Sequence, residues 1–181
     1  MLAGFRWVDG HADVWALLAE GRGPAAVVRG LTASWADAGT THVVGLEARG
    51  FAVGGPAAVV LGAGFVPVRK GLLPGRSLAT TSAEDHRGVR HELHVQAVPG
   101  PGDPVLLVDD WAERGSQAEA TAELVRRQGA ELLGLALVVD ELPDAVRAAL
   151  LQEPAASVRR WGAGGSFFSG GCAGWPGGRR P

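Results

Sequence analysis

The sequence predicts an α/β fold: one domain with a mainly parallel, twisted sheet flanked by helices. Three observations carry this. Short Val- and Leu-rich runs alternate with spans of helical spacing, the pattern of strands joined by crossover helices. The chain has 181 residues and no internal repeats, a length that suits one domain with a real core. Four polar segments each follow a strand, and in a parallel sheet all four reach the same edge. They are "EARG" (47–50), "RKGLLPG" (69–75), "DDWAERGSQ" (109–117) and "DEL" (140–142).

The elements follow in order. Residues 11–20 place Val14, Leu17 and Leu18 at helical spacing, ended by Gly21. Residues 24–38 read as a second helix with Pro24 in its first turn. "THVVGLEA" (41–48) is a short apolar strand, and 51–62 is a helix despite internal glycines and Pro56. "GFVPVR" (64–69) is a strand with Pro67 against it. Residues 70–88 have no stable period and read as a long loop, of a length usual in functional lids or disordered segments. "HELHVQAV" (91–98) alternates as a half-buried strand, and "PVLLVDD" (104–110) is a fully buried one. Residues 116–129 form an amphipathic helix stopped by Gly129, 130–142 another buried strand, and 143–151 a short helix. The domain is expected over 1–160, and 161–181 as a glycine-rich, flexible tail.

Composition narrows the function. Net charge is -2, so no basic excess points to nucleic acid. One cysteine, Cys172, excludes an internal disulfide and a cysteine-clustered zinc site. No apolar run approaches membrane-spanning length, and the start has no basic stretch leading into a long apolar one. A cytoplasmic protein with small-molecule substrates is the expectation. His86, His91 and His94 lack ligand spacing and read as ordinary loop and strand residues.

The chemistry concentrates at 105–117. A buried strand delivers Asp109 and Asp110 to the ligand edge, and the start of the next helix offers free backbone N–H groups to a phosphate. Ser116 adds a hydroxyl. The acids suit ribose hydroxyls, or magnesium directly or through water; equally, they suit capping the helix that follows. Arg49, Arg69 and Lys70 supply positive charge, although Arg49 also has Glu47 as a neighbouring surface partner.

These motifs resemble the type I phosphoribosyltransferases. "VLLVDD" with its turn and helix is similar to the phosphoribosyl pyrophosphate motif of that family. "VVGLEARGF" (43–51), "GAGFVPVRK" (62–70) and "LPG" (73–75) resemble more narrowly the adenine phosphoribosyltransferases, as does "FR" at Phe5 and Arg6. The resemblance spans roughly residues 5–142. It implies transfer of 5-phosphoribose from phosphoribosyl pyrophosphate to a purine, most closely adenine, with release of pyrophosphate. It further implies Mg2+, a homodimer, and a mobile catalytic loop at 70–88. Asp109, Asp110, Arg69 and the turn Glu113, Arg114, Gly115, Ser116 and Gln117 would hold the phosphoribosyl group, with any metal reached from Asp109 and Asp110 through ribose or water. Arg49 and Lys70 would stabilise the leaving pyrophosphate, Glu84 (with Asp85 as rival) would handle the purine proton, and Phe5 and Arg6 would contact the base. A binding or regulatory protein on the same fold, without turnover, is the alternative.

The turn departs from the family pattern. Arg114, Ser116 and Gln117 stand where the family has threonine, glycine and threonine, while Gly115 remains. Backbone donors survive any side chain, but Arg114 places a cation beside the expected 5′-phosphate, where it either grips it or obstructs it. Trp111 follows the acids where the family has an aliphatic residue, and Leu72 stands where the adenine group has a basic one.

Overall fold

The structure, a computed structural model, describes residues 7–8, 11–81, 84, 88–150, 157–161 and 167–169. Its centre is an eight-stranded sheet in the order β10-β9-β8-β7-β3-β4-β6-β5. Strands β3 (His42–Leu46), β4 (Gly64–Arg69), β7 (Pro104–Ala112), β8 (Glu131–Asp140) and β9 (Ser157–Trp161) run parallel. Strand β6 (Glu92–Gln96) is antiparallel to β4 and to β5 (Ser77–Thr81), and β10 (Phe167–Ser169) is antiparallel to β9. A two-stranded pairing of β1 (Trp7–Val8) with β2 (His11–Ala12) precedes the first helix.

Helices cover both faces, as the near-continuous apolar strands require. On one face α1 (Val14–Ala19), α2 (Gly23–Thr32) and α3 (Arg49–Leu61) pack on Val43, Leu106, Val108, Ala136 and Val138. On the other, α4 (Ser116–Arg127) and α5 (Asp144–Leu150) pack on Val44, Leu46, Val105, Leu107, Leu135 and Leu137. The register shifts by one residue between Val105 and Leu106, so Leu133 and Ala136, an odd number of residues apart, face the α1–α3 side together while Leu132 and Leu135 face the α4 side.

Helix α3 lies unusually close to the sheet, and glycine is the reason. A Cβ at Gly45 would come within 2.8 Å of the Gly50 carbonyl oxygen, and one at Gly54 within 2.9 Å of Phe65 Cε2. The Phe65 ring then meets Phe51 edge to face at 5.8 Å between centroids. Pro67 is tolerated within β4 for a local reason. The Val68 carbonyl accepts from the Glu47 N–H just past β3, so the preceding nitrogen points the other way, where β6 pairs only with Val68 and Arg69.

Three expectations need correction. The first helix is shorter than 11–20: His11 and Ala12 are strand, and Asp13 caps α1 by accepting from Ala16 N–H at 3.0 Å. Residues 70–88 are not one structureless loop, because 77–81 form β5 in full register with β6. Nor is β6 half-buried by alternation: Leu93, His94 and Val95 are all buried, since the strand is interior to the sheet. Of the glycine-rich tail, Trp161 ends β9, Phe167–Ser169 pairs with that strand, and the remainder lies outside the described residues.

Candidate active site

The parallel strands deliver β3, β4, β7 and β8 to one edge, where the four polar segments meet. Strand β7 runs two residues past the expected boundary, so Asp109 and Asp110 sit within paired strand rather than in a turn, with Trp111 opposite Val139 and Ala112 opposite Asp140. Trp111 Nε1–H donates to Glu141 Oε2 at 3.1 Å, which ties the ends of β7 and β8.

Arg49 is the first residue of α3 and reaches across from β3 to β7. Its Nε lies 2.9 Å from Asp110 Oδ2, whose side chain is 5% exposed. The surface pairing of Arg49 with Glu47, open from sequence, is replaced by this contact. Glu47 instead accepts from Lys70 N–H at 2.8 Å and lies 3.6 Å from Arg69 Nη2, which joins the ends of β3 and β4. The Arg49 N–H is not aligned on Asp110 Oδ2. Among the described residues that oxygen therefore has charge compensation but no hydrogen bond.

Asp109 lies against the start of α3. A Cβ at Gly50 would stand 2.8 Å from Asp109 Oδ1, so Gly50 is what allows the helix to settle on the acid. Asp110 N–H donates to the same Oδ1 at 2.9 Å. Part of Asp109 reaches solvent, but its carboxyl is lodged against this backbone. Burial raises it well above the usual carboxylate range, and the Asp110 charge beside it adds to the rise. Burial raises Asp110 as well, with the Arg49 guanidinium pulling it back. Two adjacent acids under this strain suit a site whose ligand brings hydrogen-bond donors and neutralising charge.

The turn after β7 ends at Gly115, which has φ +79° and precedes α4 with no side-chain cap. Its left-handed backbone leaves the first N–H groups of α4 available to an anion. Ser116 is buried, Glu113 and Gln117 are half-buried, and Arg114 is exposed, so the Arg114 side chain does not fill the turn. Lys70 is exposed just beyond β4. The register of β5 brings Glu84 toward this edge: Thr81 pairs with Glu92, two residues before His94, the partner of Arg69. Glu84 is exposed and lies 3.5 Å from Arg90 Nε. Phe5, Arg6 and Asp85 lie outside the described residues.

Glu47 and Gly50 were not singled out from sequence. The signal for Gly50 was present, a glycine directly after a cation at a helix start beside paired acids; the role of Glu47 depends on which strands are neighbours.

Paired acids, cations and an uncapped helix start thus meet at one edge, on an α/β fold that is that of the type I phosphoribosyltransferases. No family model matches the chain. Curated relatives narrow the class. The adenine phosphoribosyltransferases of Klebsiella pneumoniae and Streptomyces coelicolor are each 43% identical to it over 129 residues, 71% of this chain and 70% of theirs. The crystal structure of adenine phosphoribosyltransferase from Rhodothermus marinus superposes with a TM-score of 0.74 at 31% identity, covering 87% of this chain and 92% of that one. The chain belongs to the adenine phosphoribosyltransferase family, enzymes of purine phosphoribosyl transfer. These relatives are named for a catalysed reaction, which leaves a purely regulatory role on this fold without support.

Proposed function

We infer that this enzyme transfers the 5-phosphoribosyl group of phosphoribosyl pyrophosphate to adenine, forming AMP and pyrophosphate. The observation that carries the reading is Asp110. Its buried carboxylate lies 2.9 Å from Arg49 Nε, which sets an acceptor suited to a sugar hydroxyl beside a cation suited to pyrophosphate at one edge of the sheet.

The roles follow from chemistry. Asp109 and Asp110 accept from the ribose hydroxyls. The backbone of 113–117, with Ser116 and the exposed Arg114, holds the 5′-phosphate at the start of α4. Arg49, Arg69 and Lys70 face the pyrophosphate, whose negative charge grows as its bond to C1 breaks. The acids also favour the cation-like ribose that develops. Glu84 manages the purine proton, and Phe5 and Arg6 contact the base.

The residues fit Mg2+ that arrives with its substrate. Among the described residues no three His, Cys, Asp or Glu side chains converge on a metal position, and Asp110 is engaged with Arg49. An ion held mainly by diphosphate and ribose oxygens, with the two acids reached through ribose or water, matches this donor set. When bound, it supplies positive charge to the leaving pyrophosphate.

A homodimer is part of the proposal. From Gly50 to Leu61, α3 has no charged or polar side chain, yet Val59 is 81% and Val60 56% exposed. An all-apolar helix normally lies buried. A cytoplasmic setting is proposed because a substrate bearing a diphosphate and a phosphate does not cross a membrane unaided. Among the described residues no helix is long and apolar enough to cross one.

The decisive assay mixes the enzyme with magnesium, phosphoribosyl pyrophosphate and a panel of bases, and measures pyrophosphate and nucleotide. Turnover with adenine in preference to other purines is expected. Binding of phosphoribosyl pyrophosphate without turnover on any base would refute the enzymatic reading.

A further inference from the structure

We propose that Arg147 is a positioning residue for the phosphate-binding turn, acting from outside through α5. The proposal rests on the reading of 113–117 as the 5′-phosphate site.

The turn is packed, not free-standing. A Cβ at Gly115 would fall 2.5 Å from Val146 Cγ1 and 2.7 Å from Leu142 Cδ2, so the main chain of the turn lies directly on these two side chains. Its shape therefore depends on what holds Leu142 and Val146. Helix α5 has seven residues, too few to persist without tertiary support. Beside the packing of Val146 and Leu150 on the core, one guanidinium ties its first turn to the sheet. Arg147 Nη2 donates to Asp140 Oδ1 and Oδ2 at 2.9 and 3.1 Å and to the Leu142 carbonyl at 3.0 Å, while Nη1 donates to Asp144 Oδ1 at 2.6 Å. Asp140 Oδ1 also accepts from Leu142 N–H at 3.0 Å, and the Asp140 side chain is 2% exposed. Arg147 thus joins the end of β8, the β8–α5 connection and the first turn of α5. The far end of α5 is held by α4 itself, through Arg126 Nη2 donating to the Leu150 carbonyl at 3.1 Å.

The result is a closed circuit: α4, α5, the guanidinium, Leu142 and Val146, and back to Gly115 at the start of α4. This explains how a turn lacking the family's usual threonines keeps a defined backbone. Its geometry is imposed by a buttress, so that Arg114 and Gln117 are not required to shape it.

The test compares ligands with and without a 5′-phosphate. Two variants are used. Val146→Ala removes the methyl that meets Gly115 without touching a charge, and the double variant Asp140→Asn/Arg147→Met removes the buried ion pair without stranding either partner. Binding of phosphoribosyl pyrophosphate, AMP and adenosine is measured on each folded protein, with folding confirmed by circular dichroism. AMP and phosphoribosyl pyrophosphate should bind about tenfold more weakly, the scale on which small misplacements of binding groups act, while adenosine is unchanged. Arg147→Lys, with charge but no fork, should fall between. Unchanged AMP binding in both variants, or an equal loss for AMP and adenosine, overturns the proposal. A wild-type protein that binds adenosine but neither phosphate ester would instead remove the phosphate-site reading, and this inference with it.

Discussion

One added methyl group at Gly115 measures how firmly the phosphate turn is held, and Gly62 supplies the control. Both glycines have left-handed backbones, φ +79° at Gly115 and φ +65° at Gly62. An L-residue there costs about 1–2 kcal/mol, offset by about 0.4–1 kcal/mol from the smaller entropy of the unfolded chain. Gly62→Ala meets nothing within 4 Å, so it should cost only that difference, about 0.5–1 kcal/mol. Gly115→Ala bears the same backbone cost and also drives a methyl into Leu142 and Val146, which adds about 1–3 kcal/mol of overpacking. The expected loss is therefore about 1.5–4 kcal/mol, or a fall in Tm of roughly 3–16 °C for a chain of this length. Urea unfolding of the two variants beside the wild type, analysed at constant m-value, isolates the packing contribution as their difference. Equal destabilisation within about 0.5 kcal/mol would refute the reasoning, because it would mean that Leu142 and Val146 yield freely and the turn is not buttressed.

Further expectations follow from the site. Asp110→Asn should reduce turnover or phosphoribosyl pyrophosphate affinity at least about tenfold, since it replaces the charged acceptor facing the ribose; unaltered kinetics would assign the acids to structure alone. Arg114→Thr should weaken phosphoribosyl pyrophosphate binding several-fold, because it removes a cation beside the proposed 5′-phosphate site; improved turnover would show that it obstructs. The Asp109 carboxyl is raised by burial, so its burden on the ligand-free fold appears as pH rises from the ordinary carboxylate range through the raised value, and is relieved on acidification. Asp109→Asn should accordingly melt higher than wild type at neutral pH, by about 2–4 °C per kcal/mol relieved, with the gap closing as pH falls toward about 4; a pH-independent gap in Tm would contradict burial as the cause. Val59→Glu should convert dimer to monomer in analytical ultracentrifugation, and a persistent dimer would place the interface elsewhere.

Strong periodicity made much of this fold legible. Strands β3, β4, β7 and β8 and helices α3 and α4 follow from apolar runs and from breaks at Gly62, Gly115 and Gly129, each of which has positive φ. Strand β5 was not legible, because "SLATT" is too short and mixed to show a period and is extended only by pairing with β6. The site divided in the same way. That Asp109, Asp110, Arg49, Arg69 and Lys70 share an edge followed from strands ending in polar residues. The choice of partner for Arg49 did not: it depends on β3 lying beside β7, a relation between segments about 60 residues apart that no local pattern encodes. The contact of α5 with Gly115 was hidden for the same reason.

The Gly115 contact also bears on engineering. When a loop's shape is imposed by neighbours, its outward side chains can be exchanged without redesigning its path. Position 114, the exposed one, is therefore where a substitution could retune charge toward other phosphate esters. The seats at Leu142, Val146 and Arg147 would be left alone, since there a change alters the scaffold and not the specificity.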